Sequence, residues 1–204
     1  MIYLLRHGMV EESGQRRFIG QSDTPLAEKG RQQAREWHGL LDAVEFEAIF
    51  CSDLRRSKET ARIIAGNNQV PIHVISEFRE IFLGRWEGLS MEFVRSRFPE
   101  QWRRRGENIA DYPPPKGESF RELQNRVVPA FEAVAGQLRG HGLIIAHAGV
   151  NRVILSHLLG MPLPNLFRLS QDYAALNIIE YGIKLSRVLA LNIHPGPFQY
   201  LGRK

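Results

Sequence analysis

The chain of 204 residues has a single cysteine, Cys51, so it can form no internal disulfide and no four-cysteine zinc site, which suits a reducing cytoplasm. Long apolar runs are also missing. No segment approaches the roughly 18 uninterrupted apolar residues of a membrane span. The opening run, Ile2 to Leu5, is too short for the apolar core of a secretory leader and has no basic residues ahead of it. The expectation is a cytoplasmic protein with no membrane partner. A GxxxxGK[ST] loop is absent, which argues against P-loop nucleotide chemistry. Histidines at metal-ligand spacing, such as HExxH, are absent too, so no metal or other cofactor is expected. Cys51 lacks the arginine six positions later that a cysteine phosphatase would need, because position 57 is Ser57 and no glycine lies between. Acidic residues are the scarcer sign, 22 against 27 basic, giving a formal net charge of +5. That balance is compatible with anionic partners, whether phosphorylated metabolites, nucleic acid or a membrane surface, but from charge alone a plain solvated basic surface is the preferred reading.

What is present is ordinary in bulk: 43% hydrophobic and 24% charged residues, enough for one domain or a domain with an insertion. No internal repeat or low-complexity tract occurs. Three short β-rich runs stand out, IYLL (2–5), EAIFCS (47–52) and GLIIAH (142–147). None alternates cleanly, so each reads as a strand covered on both faces. Helical spacing fills the intervals. Glu28 to Leu41 places Ala34, Trp37 and Leu41 on one side, and Asp53 to Ala65 follows a plausible Ser52 cap. Glu118 to Leu138 repeats Phe120, Leu123, Val127, Phe131, Val134 and Leu138, with Pro129 as an expected kink, and Val150 to Leu159 follows the third run. Strands alternating with helices predict an α/β fold in three layers, a mostly parallel sheet flanked by helices. The runs around Gly182 predict an antiparallel hairpin at the C-terminal edge. Residues 89–117, rich in Arg and Pro, read as a small insertion capping the sheet.

Each run ends on polar groups: Arg6-His7-Gly8, Ser52 leading to Arg55 and Arg56, and His147-Ala148-Gly149. In open α/β sheets ligands bind beyond the carboxyl ends of the strands. Taken singly, His7 and His147 read as hydrogen-bonded structural histidines; together with the arginines they predict one site. Arginines in the first turn of a helix oppose its dipole, and make sense where an anion binds between them and the backbone N–H groups. The chemistry such a group suits is phosphoryl transfer: guanidinium forks match phosphate oxygens, a neutral imidazole attacks, and a second, protonated imidazole balances charge. The stretch EFREIFLGRWEG offers Glu77, Glu80 and Glu87 as the acid for the leaving alcohol.

The blocks LLRHG, IGQSDTPLAEKGRQQA (19–34), CSDLRRSKETA (51–61), EIFLGRWEG (80–88), and KGESF with IIAHAGVNR, in that order, resemble the signature of the histidine phosphatase superfamily, which includes cofactor-dependent phosphoglycerate mutases and many small phosphatases. The resemblance runs over most of the chain. It implies a metal-independent phosphatase reaction in two steps on a small phosphorylated substrate, with His7 as nucleophile and Glu80 as acid. It implies Arg6, Arg56 and His147 on the phosphoryl oxygens and a structural part for Glu87. It also implies that Arg6, Ser13, Ile19, Gly20, Arg56 and Ala148 face the substrate. Three departures stand out: Val10 where threonine is common, Ser13 where an asparagine contacts phosphate, and Ala148 where glycine is frequent. The short segment between Glu80 and His147 resembles the phosphatases more than the mutases. The wording RRFIGQSDTPL is most similar to phosphatases acting on α-ribazole 5′-phosphate, with broad-specificity and sugar-phosphate phosphatases resembling it nearly as well; a cofactor-dependent mutase is the alternative. The cluster Arg95, Arg97, Trp102, Arg103, Arg104 and Arg105 raises a nucleic-acid surface, but an anion-attracting rim is the reading preferred, and no nucleic-acid partner is expected. Oligomeric state is not legible, and a dimer stays open.

Overall fold

The computed structural model describes residues 1–11, 15–182 and 184–196. In chain order its strands and α-helices are β1 (Ile2–Arg6), α1 (Glu28–Leu41), β2 (Phe46–Cys51), α2 (Arg55–Ala65), β3 (Ile72–Val74), α3 (Met91–Arg97), α4 (Pro99–Glu107), α5 (Phe120–Gln137), β4 (His141–Ala146), α6 (Ala148–Leu158), β5 (Leu176–Glu180) and β6 (Arg187–Ile193). The six strands form one sheet in the order β3-β2-β4-β1-β5-β6. β1 and β2 flank β4 in parallel, and β3 extends β2 in parallel. β5 runs antiparallel to both β1 and β6, which is the expected C-terminal hairpin; position 183 in its connection lies outside the described residues.

The unbroken apolar runs are explained by two cores, one on each face. Ile2, Leu4, Ile144 and Ala146 pack with Val127 and Phe131 of α5 and Val150 and Val153 of α6. On the other face Leu5, Ile49, Cys51, Leu143 and Ile145 pack with Ala34 and Trp37 of α1 and Ala61 and Ile64 of α2. Consecutive residues of one strand point to opposite faces, so a strand covered twice must be apolar throughout.

Helix starts follow local chemistry in one case and not in another. Ser119 and Glu122 form a reciprocal capping box at α5, the Ser119 hydroxyl accepting the Glu122 N–H at 3.1 Å and the Glu122 carboxylate accepting the Ser119 N–H at 2.7 Å. Pro129 lies within that helix. α2 corrects the sequence reading: it starts at Arg55, with Leu54 at the cap position and no side-chain cap from Ser52. Asp23, from the loop before α1, accepts the Arg55 N–H at 2.7 Å and meets that free donor instead. Residues 89–117 supply α3, opened by a Ser90 cap, and α4, opened by Pro99. Met91, Trp102, Arg105 and Ile109 from this segment line a cavity together with Arg6 and His7. The segment therefore shares a cavity wall with the residues at the end of β1.

Candidate active site

β1 delivers Arg6, and His7 carries the ladder one residue further, its N–H donating to Ala146 O at 3.0 Å. The chain then passes against α1 at backbone contact. A Cβ on Gly8 would lie 2.4 Å from the Gly30 carbonyl oxygen, and one on Gly30 would lie 2.1 Å from that of Met9. Only glycine admits so close an approach, which accounts for the residue after Arg6-His7.

The His7 ring is buried. Its Nδ1 lies 2.8 Å from Gly8 O; a carbonyl only accepts, so Nδ1 carries the hydrogen and Nε2 is the basic nitrogen. Arg56 Nε donates to that Nε2 at 3.2 Å. Burial, then the neighbouring Arg56 and Arg6, push the ring well below the usual imidazole pKa of 6.5, so the neutral form prevails at pH 7.

Arg56 sits in the first turn of α2, with Nη1 donating to Ser22 O at 2.6 Å and Nη2 to Gly20 O at 2.7 Å. Arg6 donates from Nη1 to Gln171 O at 2.7 Å and lies 3.7 Å above the Tyr173 ring, while its Nε is buried without a hydrogen-bond partner. Among the described residues neither guanidinium forms a salt bridge. Two buried cations beside a neutral histidine are a standing anion site.

His147 precedes α6, fully buried, its ring centroid 5.0 Å from that of His7. Its Nε2 is 2.7 Å from the Ser52 hydroxyl, and its Nδ1 has no hydrogen-bond partner. The protonated imidazole expected here is not what the surroundings favour. Burial, and then Arg56, push this ring also well below 6.5, which favours its neutral form at pH 7.

Of the three candidate acids, Glu80 alone lines the cavity. Its Oε1 accepts the Ile81 N–H at 2.9 Å and its Oε2 the Gly149 N–H at 3.1 Å, in the first turn of α6. A Cβ on Gly149 would stand 2.4 Å from that carboxylate, hence the glycine after His147-Ala148. The Glu80 carbonyl accepts from Gln21 Nε2 and Arg126 Nη2, both at 3.0 Å, and Arg126 pairs with Glu118. The KGESF block thus holds the Glu80 loop. Glu87 accepts the Gln21 N–H at 2.7 Å and the Ser22 hydroxyl at 3.2 Å, pinning the loop whose carbonyls hold Arg56. Glu77 is exposed and bonds Ser76.

The cavity has a volume of about 470 Å³, and Arg6, His7, Ile19, Gly20, Arg56, Glu80 and Ala148 all reach its wall. His147 is buried next to His7, the two ring centroids 5.0 Å apart. Val10 is buried in a bridge to Leu26, and Ser13 lies outside the described residues. Cys51 is buried and its thiol is pushed up to about 11, far from a thiolate at neutral pH. Tyr173, Arg152, Trp86 and Trp102 also line the cavity and were not found from sequence. Tyr173 comes from the loop before β5, and no spacing tied it to Arg6. The basic and aromatic cluster at 95–105 is the sequence signal for Trp102, which stands on the cavity wall rather than on an outer rim. Among the described residues no group of three or more His, Cys, Asp or Glu is placed to hold a metal, and no helix is long and apolar enough to cross a membrane.

Fold and site together define an α/β protein with a histidine-centred anion pocket at the carboxyl edge of its parallel strands. The chain belongs to the histidine phosphatase superfamily (branch 1), whose family model matches residues 2–194. It is 28% identical to the adenosylcobalamin/alpha-ribazole phosphatase of Escherichia coli, over 94% of this chain and 95% of that one. It is 33% identical to an Escherichia coli protein named "Probable phosphoglycerate mutase GpmB", over 88% of this chain and 84% of that one. The crystal structure of the alpha-ribazole phosphatase from Shigella flexneri superposes with a TM-score of 0.87 at 28% identity, covering 97% of this chain and 99% of that one. Family and relatives together support a phosphatase acting on small phosphorylated substrates.

Proposed function

We propose that the chain hydrolyses a small phosphomonoester through a phosphohistidine on His7 Nε2, without a metal ion. The observation that carries this reading is the Nδ1–H bond to Gly8 O, which leaves Nε2 with its lone pair beside two guanidiniums. His7 Nε2 attacks phosphorus as the P–O bond to the alcohol breaks, and Glu80 delivers a proton to the leaving oxygen. Water then attacks the phosphohistidine, giving its proton back to Glu80 and releasing inorganic phosphate and neutral His7. Arg6, Arg56 and His147 Nδ1 hold the phosphoryl oxygens, while Ile19, Gly20 and Ala148 shape the space for the alcohol. The chain acts as one domain in which residues 89–117 form a cap over the site, and it works in the cytoplasm. Its substrate is an α-ribazole 5′-phosphate-like metabolite, by likeness to the relatives named for that activity.

The test is rapid-quench labelling with phosphate-labelled substrate in the presence of EDTA. Label should appear on nitrogen, acid-labile and base-stable, and be absent from His7→Ala. Label on Cys51, label retained in His7→Ala, or activity lost with EDTA and restored by a divalent ion would overturn this mechanism. The relative named as a mutase favours a second reading; interconversion of 3- and 2-phosphoglycerate that requires 2,3-bisphosphoglycerate would establish it in place of hydrolysis.

A further inference from the structure

We propose that Tyr173 and the buried carboxamide of Gln171 are positioning residues for Arg6, fixing the plane of its guanidinium before a phosphoryl group arrives. The proposal rests on the phosphatase reading above, in which Arg6 holds phosphoryl oxygens. An arginine side chain has about 2 kcal/mol of rotamer entropy, so a fork that meets its anion in one geometry has to be held from elsewhere. A carboxylate would hold it, but would also neutralise it and occupy the N–H groups that phosphate needs. Arg6 is held in two other ways. The Tyr173 ring takes one face of the guanidinium, whose Cζ lies 3.7 Å from the ring centroid, and such a stack uses no N–H donor. The Gln171 carbonyl accepts from Nη1 at 2.7 Å. Nε is buried with no hydrogen-bond partner, a donor left over for an oxygen of the bound group.

Residues 170–175 belong to no helix or strand, so side chains and scattered backbone bonds must hold the segment in place. Gln171 is 2% exposed, and every polar position of its carboxamide is filled. Its Nε2 donates to Ser170 O at 2.7 Å and to Asn177 Oδ1 at 2.9 Å, while its Oε1 accepts from Asn177 Nδ2 and Asn151 Nδ2, both at 3.0 Å. Asn177 also donates to Leu4 O at 2.9 Å. Three buried amides therefore tie the segment to β1, β5 and α6 at once, and none of the three lines the cavity. Further along, the Ala174 N–H donates to His7 O at 3.1 Å and the Arg6 N–H to Ala175 O at 3.0 Å. Ala174 has a φ of 55°, a left-handed conformation that costs a non-glycine residue about 1–2 kcal/mol and persists only where the surroundings impose it. A buried polar network whose central amide is satisfied makes a rigid support. This one ends on the carbonyl and the ring that contact Arg6.

The test measures kcat/KM for p-nitrophenyl phosphate and the Ki of orthovanadate, a phosphate analogue, as competitive inhibitor. Tyr173→Leu and Gln171→Leu should lower kcat/KM by up to about 10²-fold. They should also raise the vanadate Ki at least about ten-fold, the contribution of one hydrogen bond to a charged group. A substitution that merely destabilises the fold removes active molecules, which lowers kcat and leaves the Ki of the remainder unchanged. Tyr173→Phe keeps the ring face and should regain most of what Tyr173→Leu loses. In an Arg6→Gln background Tyr173→Leu should cost less than about two-fold further, because the group it acts through is gone. Should Gln171→Leu fail to fold, the Tyr173 variants decide alone. An unchanged Ki in a folded Tyr173→Leu, a Tyr173→Phe as impaired as Tyr173→Leu, or a full further loss on top of Arg6→Gln overturns the assignment. Wild-type hydrolysis with label on His7 upholds the phosphatase reading in each of those cases. A wild type that neither hydrolyses the ester nor takes label overturns both.

Discussion

Glu80 and Glu87 show how far apart two carboxylates of one short motif can be in their work. Glu80 stands on the cavity wall, anchored by the N–H groups of Ile81 and Gly149. Glu87 accepts from Gln21 and Ser22 and reaches the site only through the carbonyls of that loop, which hold Arg56. A general acid matters most for a poor leaving group and contributes about 10²–10⁴-fold. Glu80→Gln should therefore slow alkyl phosphates by that order, yet release nitrophenol from p-nitrophenyl phosphate in a rapid burst followed by slow turnover. Glu87→Gln should slow every substrate alike, because a loosened loop misplaces Arg56 whatever the leaving group. Stopped-flow and steady-state rates on the two substrate types decide this. Equal losses in both variants, or a leaving-group dependence confined to Glu87→Gln, would take the acid role away from Glu80.

At the scale of the element, α1 contains two glycines with opposite physical meanings. Gly39 has open space around a would-be Cβ, whereas at Gly30 a Cβ would sit 2.1 Å from the Met9 carbonyl oxygen. Helix propensity alone favours alanine over glycine by about 1 kcal/mol at either position. Gly39→Ala should accordingly raise unfolding free energy by up to about 1 kcal/mol and leave turnover unchanged. Gly30→Ala should reverse the sign, since the obstructing atom is backbone and α1 must move away from the segment that carries His7. Urea denaturation with parallel phosphatase assays reads both. A stabilising Gly30→Ala would show that helix and loop do not touch as closely as described.

For the whole molecule, the two buried rings of His7 and His147 link folding to pH. Both are held neutral, with pKa values well below 6.5, whereas in the unfolded chain they titrate near about 6.5. Below that value the unfolded state binds more protons, so stability present at neutral pH is lost as pH falls toward the folded pKa values. The slope is up to about 1.4 kcal/mol per pH unit for each ring. Denaturation curves between pH 6.5 and 5 should show a steep fall, and His147→Asn should reduce that slope by about half. A wild-type profile flat across this window would mean the rings are not held neutral. The net charge of +5 adds self-repulsion that grows in the same direction.

Several parts of this molecule could be read along the chain because their causes are local. The runs that became β1, β2 and β4 are apolar on both faces, α1 has helical spacing over its full length, and the capping box at Ser119 closes within four residues. The convergence of Arg6, His7, Arg56 and His147 follows from the parallel strands β1, β2 and β4, which end at one edge. Ser52 was misleading for the same local reason. Its position before a helix suggests a cap, but its hydroxyl is engaged by His147, 95 residues away. Nothing in the run Arg103-Arg104-Arg105 says which guanidinium turns inward; the packing of α4 over the cavity settles it. Tyr173 stacks on Arg6 because β5 inserts beside β1. The charge of His147 depends on burial and on Arg56, and both come from distant segments. Periodicity and caps act over one or two turns of chain, whereas charge state and cross-chain partners depend on which segments the fold brings together and on how much water it excludes.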